Sequence, residues 1–247
     1  MPTESDFHLA RESASLAGKL LMILRKSAVA SGALSSTLGE IADRKSHELL
    51  CELILDVSPD DAILSEEQED DLTRINSNRV WIIDPLDGTK EFGETDRSDW
   101  AVHVALVEGG TPTVGAVAMP DIGTTFCSND VSAPLKEITE IRVMCSRTRP
   151  VPAAQIIADE LSGEIMLMGS AGAKAMAVVK GDAEIYVHAG GQYEWDSCAP
   201  VAVALANGLH ASRLDGSPLL YNQRDTYVPD LLICRKELAD SVLAIFN

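Results

Sequence analysis

Aromatic residues make up only 4% of this 247-residue chain. That is too few for the stacking platforms on which single-stranded nucleic acids are held. Positive charge is scarce as well. Twenty Lys and Arg against 38 Asp and Glu leave a net charge of −18, a field that opposes DNA, RNA and anionic membranes. The same field repels a phosphorylated ligand unless metals or local basic residues reverse its sign. No apolar run approaches the length of a membrane span, and the acidic start Met1-Pro2-Thr3-Glu4 has neither the basic nor the apolar part of a leader. The five cysteines are odd in number and form no CxxC pair, as expected of free thiols in a reducing compartment. There is no Gly-rich P-loop. These absences lead to the expectation of a soluble, cytoplasmic protein with neither a nucleic-acid nor a membrane partner.

Hydrophobic residues are 46% of the chain, enough for a sizeable core. The most informative stretch is Val80-Trp81-Ile82-Ile83-Asp84-Pro85-Leu86-Asp87-Gly88-Thr89-Lys90-Glu91-Phe92. Its apolar start reads as a buried strand. The strand runs straight into Asp84, and Pro85 biases that acid toward an extended backbone. Two carboxylates three residues apart on a bend repel unless a cation joins them. Mg²⁺ prefers such oxygen ligands. Asp, Pro and Gly are also ordinary turn residues, so the bare DxxDG leaves a solvated turn open.

Two helices are expected before this stretch. The first, capped by Asp6, carries Phe7, Ala10, Ala14, Ala17 and Leu21 at helical spacing. Residues 26–42 lose that spacing and read as a loop, and whether 29–42 closes over a ligand stays open. Asp43 opens the second helix, where an acid by itself only complements the helix dipole. Ala62-Ile63-Leu64 is a second strand that runs into acids, at Glu66-Glu67. Strands over 99–107, 113–119 and 124–128 follow, joined by turns. Trp100, Val102, Val104 and Leu106 alternate with Ala101, His103 and Ala105. His103 reads as an ordinary strand residue, since no Cys or His stands at ligand spacing from it. An antiparallel sheet flanked by helices results.

Residues 129–140 read as a linker between two units, 1–130 and 141–247. From Ile141 strands and helices alternate. Strands are expected over 142–145, 165–168, 184–187, 208–213 and 231–234, and helices over 152–162, 170–180, 195–206 and 236–246. Asp196 falls in the first turn of one of these helices, where it caps or complements the dipole by default.

Asp84-Pro85-Leu86-Asp87-Gly88-Thr89 and, about a hundred residues later, Trp195-Asp196 with the segment through Gly208 resemble the two signatures of the inositol monophosphatase superfamily. Asn207-Gly208-Leu209 departs from the usual Gly-Gly. The resemblance covers nearly the whole chain. It implies a layered αβαβα sandwich, α+β in its first half and α/β in its second, and Mg²⁺-dependent phosphomonoester hydrolysis. It implies that Glu66, Asp84 and the Leu86 carbonyl hold one Mg²⁺, that Asp84, Asp87 and Asp196 hold a second, and that a third ion binds near Glu66. Thr89, supported by Asp43, is implied to orient the attacking water, with Gly88 and Thr89 offering amides to the phosphate. Li⁺ inhibition is implied as well.

Within the superfamily, Gly169-Ser170-Ala171-Gly172-Ala173-Lys174, Glu194-Trp195-Asp196 and Ser217-Pro218-Leu219-Leu220-Tyr221 resemble the nucleotidases of the CysQ type. Those enzymes remove the 3′-phosphate of adenosine 3′,5′-bisphosphate (PAP), a reaction linked to sulfate assimilation. Ser170, Lys174 and Glu194 then join Gly88, Thr89 and Asp196 as substrate-binding residues, with Lys174 facing the second phosphate. By itself Lys174 is also compatible with a solvated helix face. Inositol phosphates and fructose 1,6-bisphosphate stay open as substrates, and so does a non-catalytic regulator on the same fold. The oligomeric state is open too, a homodimer included.

Overall fold

The computed structural model describes residues 1–32, 36–130 and 134–247. Helix α1 (Glu4–Ser31) starts at Thr3, whose amide and hydroxyl both donate to the Asp6 carboxylate. Asp6 therefore closes a capping box at the third helical position and is not itself the cap. Helix α2 (Ser36–Val57) follows almost at once. The expected loop over 26–42 is thus mostly helix, and its centre, 33–35, lies outside the described residues. The last turns of α1 carry exposed Lys26, Ser27, Val29 and Ala30. A helix end that projects past the sheet needs no apolar stripe, so periodicity could not mark it.

Strands β1 (Ala62–Ser65), β2 (Arg79–Asp87), β3 (Ala101–Glu108), β4 (Thr111–Met119) and β5 (Thr124–Cys127) form one sheet in chain order. A single helical turn, α3 (Thr89–Phe92), follows β2. The sheet is antiparallel from β2 onward, but β1 lies parallel to β2. The link between β1 and β2 carries a 3₁₀ turn at Thr73–Asn76 and crosses over, so the fully antiparallel expectation fails at this edge.

The second half contributes β6 (Arg142–Ser146), α4 (Pro152–Leu161), β7 (Glu164–Met168), α5 (Ala171–Lys180), β8 (Ile185–Tyr193), α6 (Glu194–Ala206), β9 (His210–Ser212), β10 (Tyr227–Cys234) and α7 (Ala239–Leu243). Their sheet runs β7-β6-β8-β10-β9, with β6 parallel to β7 and β8, and β10 antiparallel to β8 and β9. The helix expected over 236–246 is divided into a 3₁₀ turn and α7. Of the expected linker, 131–133 lie outside the described residues, and 134–140 have no helix or strand.

Side-chain alternation sorts these elements into five layers. Trp81, Ile83, Val102, Val104 and Leu106 face α1 and α2. Their neighbours Val80, Ile82, Ala101 and Ala105 face the opposite way, onto α5, α6 and the inner face of the second sheet. Val143, Ile185, Val187 and Leu232 cover the outer face of that sheet against α4 and α7. The result is the αβαβα sandwich. Full burial of each such aliphatic side chain stabilises by about 1.5–3 kcal/mol. Buried Arg25 ties α1 to the segment after β2. Its guanidinium donates to the carbonyls of Phe92 (2.9 Å) and Arg97 (2.8 Å) and meets Asp121 at 3.1 Å. It also lies 5.6 Å from the Trp100 ring centre. This clamp fixes the chain just beyond Asp84 and Asp87.

Candidate active site

Strand β2 carries its acids to the edge where the layers meet. The pairing with β3 shifts between Asp84 and Asp87, and the bulge brings both carboxylates toward one cleft. Asp84 Oδ1 accepts from its own chain at Leu86 N, 3.1 Å away. Asp87 Oδ2 accepts from Ser170 Oγ (2.5 Å) and from Gly172 N (2.7 Å), so Asp87 sits on the N-terminus of α5. Asp196 stands at the third position of α6, where Oδ2 accepts from Tyr193 N at 2.7 Å. Carboxylate oxygens of Asp84, Asp87 and Asp196 lie within 4.8 Å of one another. They line a cleft of about 290 Å³ shared with Glu66, Leu86 and Thr89.

Burial and mutual repulsion govern the charge here. Burial, reinforced by Asp87, Glu66 and Asp196, pushes Asp84 well above the usual carboxylate range. Burial and Asp87 raise Asp196 to about 6. Burial and Asp196 raise Glu66 to about 7, although Glu66 stands at the rim, where water screens it. Asp43, behind the cleft, is raised to about 8 by burial and by Glu67, Glu66 and Asp87. Asp87 behaves in the opposite way. Burial alone would raise it, but His103 overrides burial, with Lys174 and Ser170 adding to it, and Asp87 falls well below the ordinary value. An all-oxygen donor set whose members repel one another fits a hard divalent cation.

A pH dependence follows. A carboxyl whose folded pKa is raised must ionise against its neighbours, so the stability it lends is present at low pH and is lost as pH rises. Glu66, Asp196 and Asp43 place that loss between about pH 4 and 8. In excess chelator, the melting temperature is expected to fall across this window. A divalent cation at a hundred times its Kd is expected to restore roughly 5–10 °C at pH 8. A flat chelated profile would contradict the clustered acids.

His103 lies directly opposite Asp84 in the β2–β3 register and is fully buried. Its Nδ1 donates to the Trp195 carbonyl at 3.1 Å. Its Nε2 lies 3.2 Å from Asp87 Oδ2, off-line for a hydrogen bond but close for an ion pair. Burial would lower its pKa, yet Asp87 raises it above the ordinary value. Gly172 makes room for the ring, since a Cβ there would stand 2.1 Å from Nε2. Gly→Ala in a helix ordinarily stabilises by about 0.5–1 kcal/mol. Gly172→Ala is expected to do the reverse, lowering the melting temperature and reducing kcat roughly 10- to 100-fold through displacement of Asp87. Thermal melts and steady-state kinetics on purified protein check both, and unchanged values would mean that the ring is not fixed here.

Of the residues singled out in the sequence, Glu66, Asp84, Leu86, Asp87, Gly88, Thr89, Ser170, Lys174 and Asp196 all line this cleft. Asp43 and Glu194 stand outside its lining. Thr89 Oγ1 donates to the Leu86 carbonyl at 3.2 Å, and Asp43 Oδ1 is buried without a partner, so the two are not hydrogen-bonded to each other. The Thr89 methyl instead abuts α2 at Gly39, one turn before Asp43 on the same helix face. Glu194 does not line the cleft. It is 1% exposed, and its carboxylate accepts from the amides of Asn222 (2.6 Å) and Gln223 (2.7 Å). It anchors the loop at Asn222 and Gln223. Sequence reading passed over Lys90, Glu91, Arg149, His188 and Gln192, all of which line the cleft.

A five-layer sandwich with clustered carboxylates at the end of a strand defines a class of phosphatase. The sequence matches the inositol monophosphatase family over residues 4–247, and the chain belongs to that family. It is 50% identical over 216 residues to a 3′-phosphoadenosine 5′-phosphate phosphatase of Mycobacterium bovis, an alignment covering 84% of this chain and 81% of that one. The protein of the same description from Mycobacterium leprae is 44% identical, over 98% and 94% of the two chains. Among solved structures, CysQ from Bacteroides thetaiotaomicron superposes with a TM-score of 0.78 at 24% identity, covering 94% of this chain and 98% of its own. The protein is a phosphatase enzyme. No helix among the described residues is long and apolar enough to cross a membrane.

Proposed function

We propose that the chain is a Mg²⁺-dependent phosphomonoesterase that removes the 3′-phosphate of PAP, giving AMP and phosphate, in step with sulfate assimilation. The observation that carries the reading is the cluster of Asp84, Asp87 and Asp196, with oxygens within 4.8 Å of one another, in a cleft that also holds Lys90, Lys174 and Arg149. The names of the relatives at 44–50% identity support PAP as the substrate.

Asp84, Asp87, Asp196, Glu66 and the Leu86 carbonyl would hold two to three Mg²⁺ ions. Mg²⁺ supplies Lewis acidity toward phosphoryl oxygens and a water acidic enough to serve as nucleophile near neutral pH. The protein's own part is positional. Ser170 Oγ, Gly172 N and His103 fix one oxygen of Asp87 and leave the other free. Tyr193 N does the same for Asp196. Thr89 and Asp43 stand toward α2, where the reading has them receive a water proton, and Gly88 and Thr89 lie along the cleft wall, where the reading seats the phosphate.

Phosphate release from PAP, inositol 1-phosphate and fructose 1,6-bisphosphate, with and without Mg²⁺ and with added Li⁺, tests the reading. Preference for PAP, full dependence on Mg²⁺ and inhibition by Li⁺ are expected. Preference for either alternative substrate would move the assignment within the family. Absence of release from all three would leave the chain as a binding protein on this fold.

A further inference from the structure

The carboxylates of the cleft come from both halves of the sandwich. Glu66, Asp84 and Asp87 belong to the first half and Asp196 to the second. Asp84 and Asp87 are buried in β2. Glu66 is exposed, one residue past the end of β1, on the arm that leads across to β2. That arm has little beneath it. Residues 68–71 border an open cavity of about 330 Å³ together with His47 and Cys51 of α2. A segment with few buried apolar contacts opens easily unless polar contacts hold it.

The arm is held at two places. At its start, Ser65 Oγ meets His47 Nδ1 at 2.9 Å. At its end stands Arg74, charged and yet only 2% exposed. Arg74 Nε (3.1 Å) and Nη2 (2.7 Å) both donate to Asp70 Oδ2, and Leu72 N donates to the other Asp70 oxygen at 3.0 Å. The same guanidinium crosses to the second half. Nη1 donates to Asn222 Oδ1 at 2.6 Å and Nη2 to the Gln223 carbonyl at 2.9 Å, while Asn222 Nδ2 donates back to the Arg74 carbonyl at 3.3 Å. Beyond Asn222 the contacts run on to Glu194, which accepts from the Asn222 and Gln223 amides and stands two residues before Asp196. Arg74 therefore joins the arm that carries Glu66 to the helix that carries Asp196. The backbone bends to make this joint. Leu72 (φ +64°) and Asn222 (φ +58°) are both left-handed, a conformation that suits asparagine and is rare for leucine. It persists only where surrounding contacts impose it. A buried ion pair contributes little net stability, because desolvation offsets the attraction. What this one fixes is position.

We propose that Arg74, through Asn222, is a positioning residue for the divalent-cation site: it holds the Glu66 arm against the α6 end of the cleft and so sets the affinity for the ion. The inference rests on the Mg²⁺ reading given above. Arg74 touches no reacting atom, so its effect falls on cation binding and not on the chemical step. Groups that hold a metal's ligands from outside commonly contribute about 10- to 100-fold in affinity.

Calorimetric titration of chelator-treated protein with Mg²⁺ tests this. Asn222→Gly is the cleanest variant. Glycine accepts the positive φ, and the amides that serve Glu194 remain, so only the side-chain bridge is lost. It is expected to weaken Mg²⁺ binding roughly 10-fold, and to leave kcat for PAP at saturating Mg²⁺ within about twofold. Arg74→Lys is expected to match it, since an ammonium lacks the fixed fork that serves Asp70 and Asn222 together. On a Glu66→Gln background, Asn222→Gly is expected to add no further loss of Mg²⁺ affinity. An Asn222→Gly protein that melts lower yet binds Mg²⁺ as tightly as the wild type would show a brace for the fold alone and overturn the positioning role. Losses that multiply on the Glu66→Gln background would overturn it too. A wild type that binds no Mg²⁺ would overturn the Mg²⁺ reading and this inference with it.

Discussion

Asp84→Asn is expected to abolish turnover and, in the absence of metal, to make the protein more stable. Asp84 is fully buried and faces Asp87, Glu66 and Asp196, whose charges push its pKa well up. Asparagine keeps the size and the acceptor that receives Leu86 N at 3.1 Å, so the bulge after it is preserved. What it removes is one negative charge from a site that repels its own members. Without metal near pH 8, where burial and the neighbouring carboxylates oppose its charge, the variant should melt above the wild type. With Mg²⁺ the order should reverse, since the wild type gains binding energy the variant cannot match. On the proposed reading Asp84 would hold metal, and loss of a metal ligand would remove several kcal/mol of transition-state stabilisation, so the expected loss in kcat/KM is about 10³-fold or more. The paired readout separates a metal ligand from a structural acid. An inactive variant that melts lower under chelation would point to misfolding, and near-normal activity at millimolar Mg²⁺ would remove Asp84 from the metal assignment.

The carboxylate centre was legible because strand and acid are adjacent in sequence. Val80 to Ile83 can only be buried, so Asp84 and Asp87 had to emerge at a strand end. The groups that tune them were hidden because they come from register and not from spacing. His103 is nineteen residues away along the chain and opposite Asp84 across the β2–β3 pair. Strand β8 is longer than its apolar core because His188 and Gln192 line the cleft, with Gly190 and Gly191 at positive φ between them. Periodicity reports burial, and the cleft-lining part of a strand is not apolar. Glu194 stands two residues before Asp196, and two residues along a helix turn a side chain about 200°, away from the cleft and toward the amides of Asn222 and Gln223.

Thr89 and Asp43 are expected to act as a unit on the attacking water. Thr89 is exposed at the cleft, and its methyl abuts α2 at Gly39, four residues before Asp43 on the same face. Asp43 Oδ1 is buried without a donor, an arrangement that costs energy unless a proton donor arrives. Its pKa of about 8 reflects burial first and then repulsion by Glu67, Glu66 and Asp87. Those are charges that a cation among the acids would offset, leaving Asp43 free to accept a proton from Thr89. Thr89→Ala and Asp43→Asn should each lower kcat by about 10²–10⁴-fold, with KM for PAP little changed because neither holds the bound nucleotide. Thr89→Ser, which keeps the hydroxyl, should retain most of the rate. In the double variant the loss should be close to that of the worse single, as it is for groups that serve one proton transfer. Losses that multiply would show that Asp43 acts through the electrostatics of Glu66 and Asp87 alone, and that Thr89 relays no proton to it.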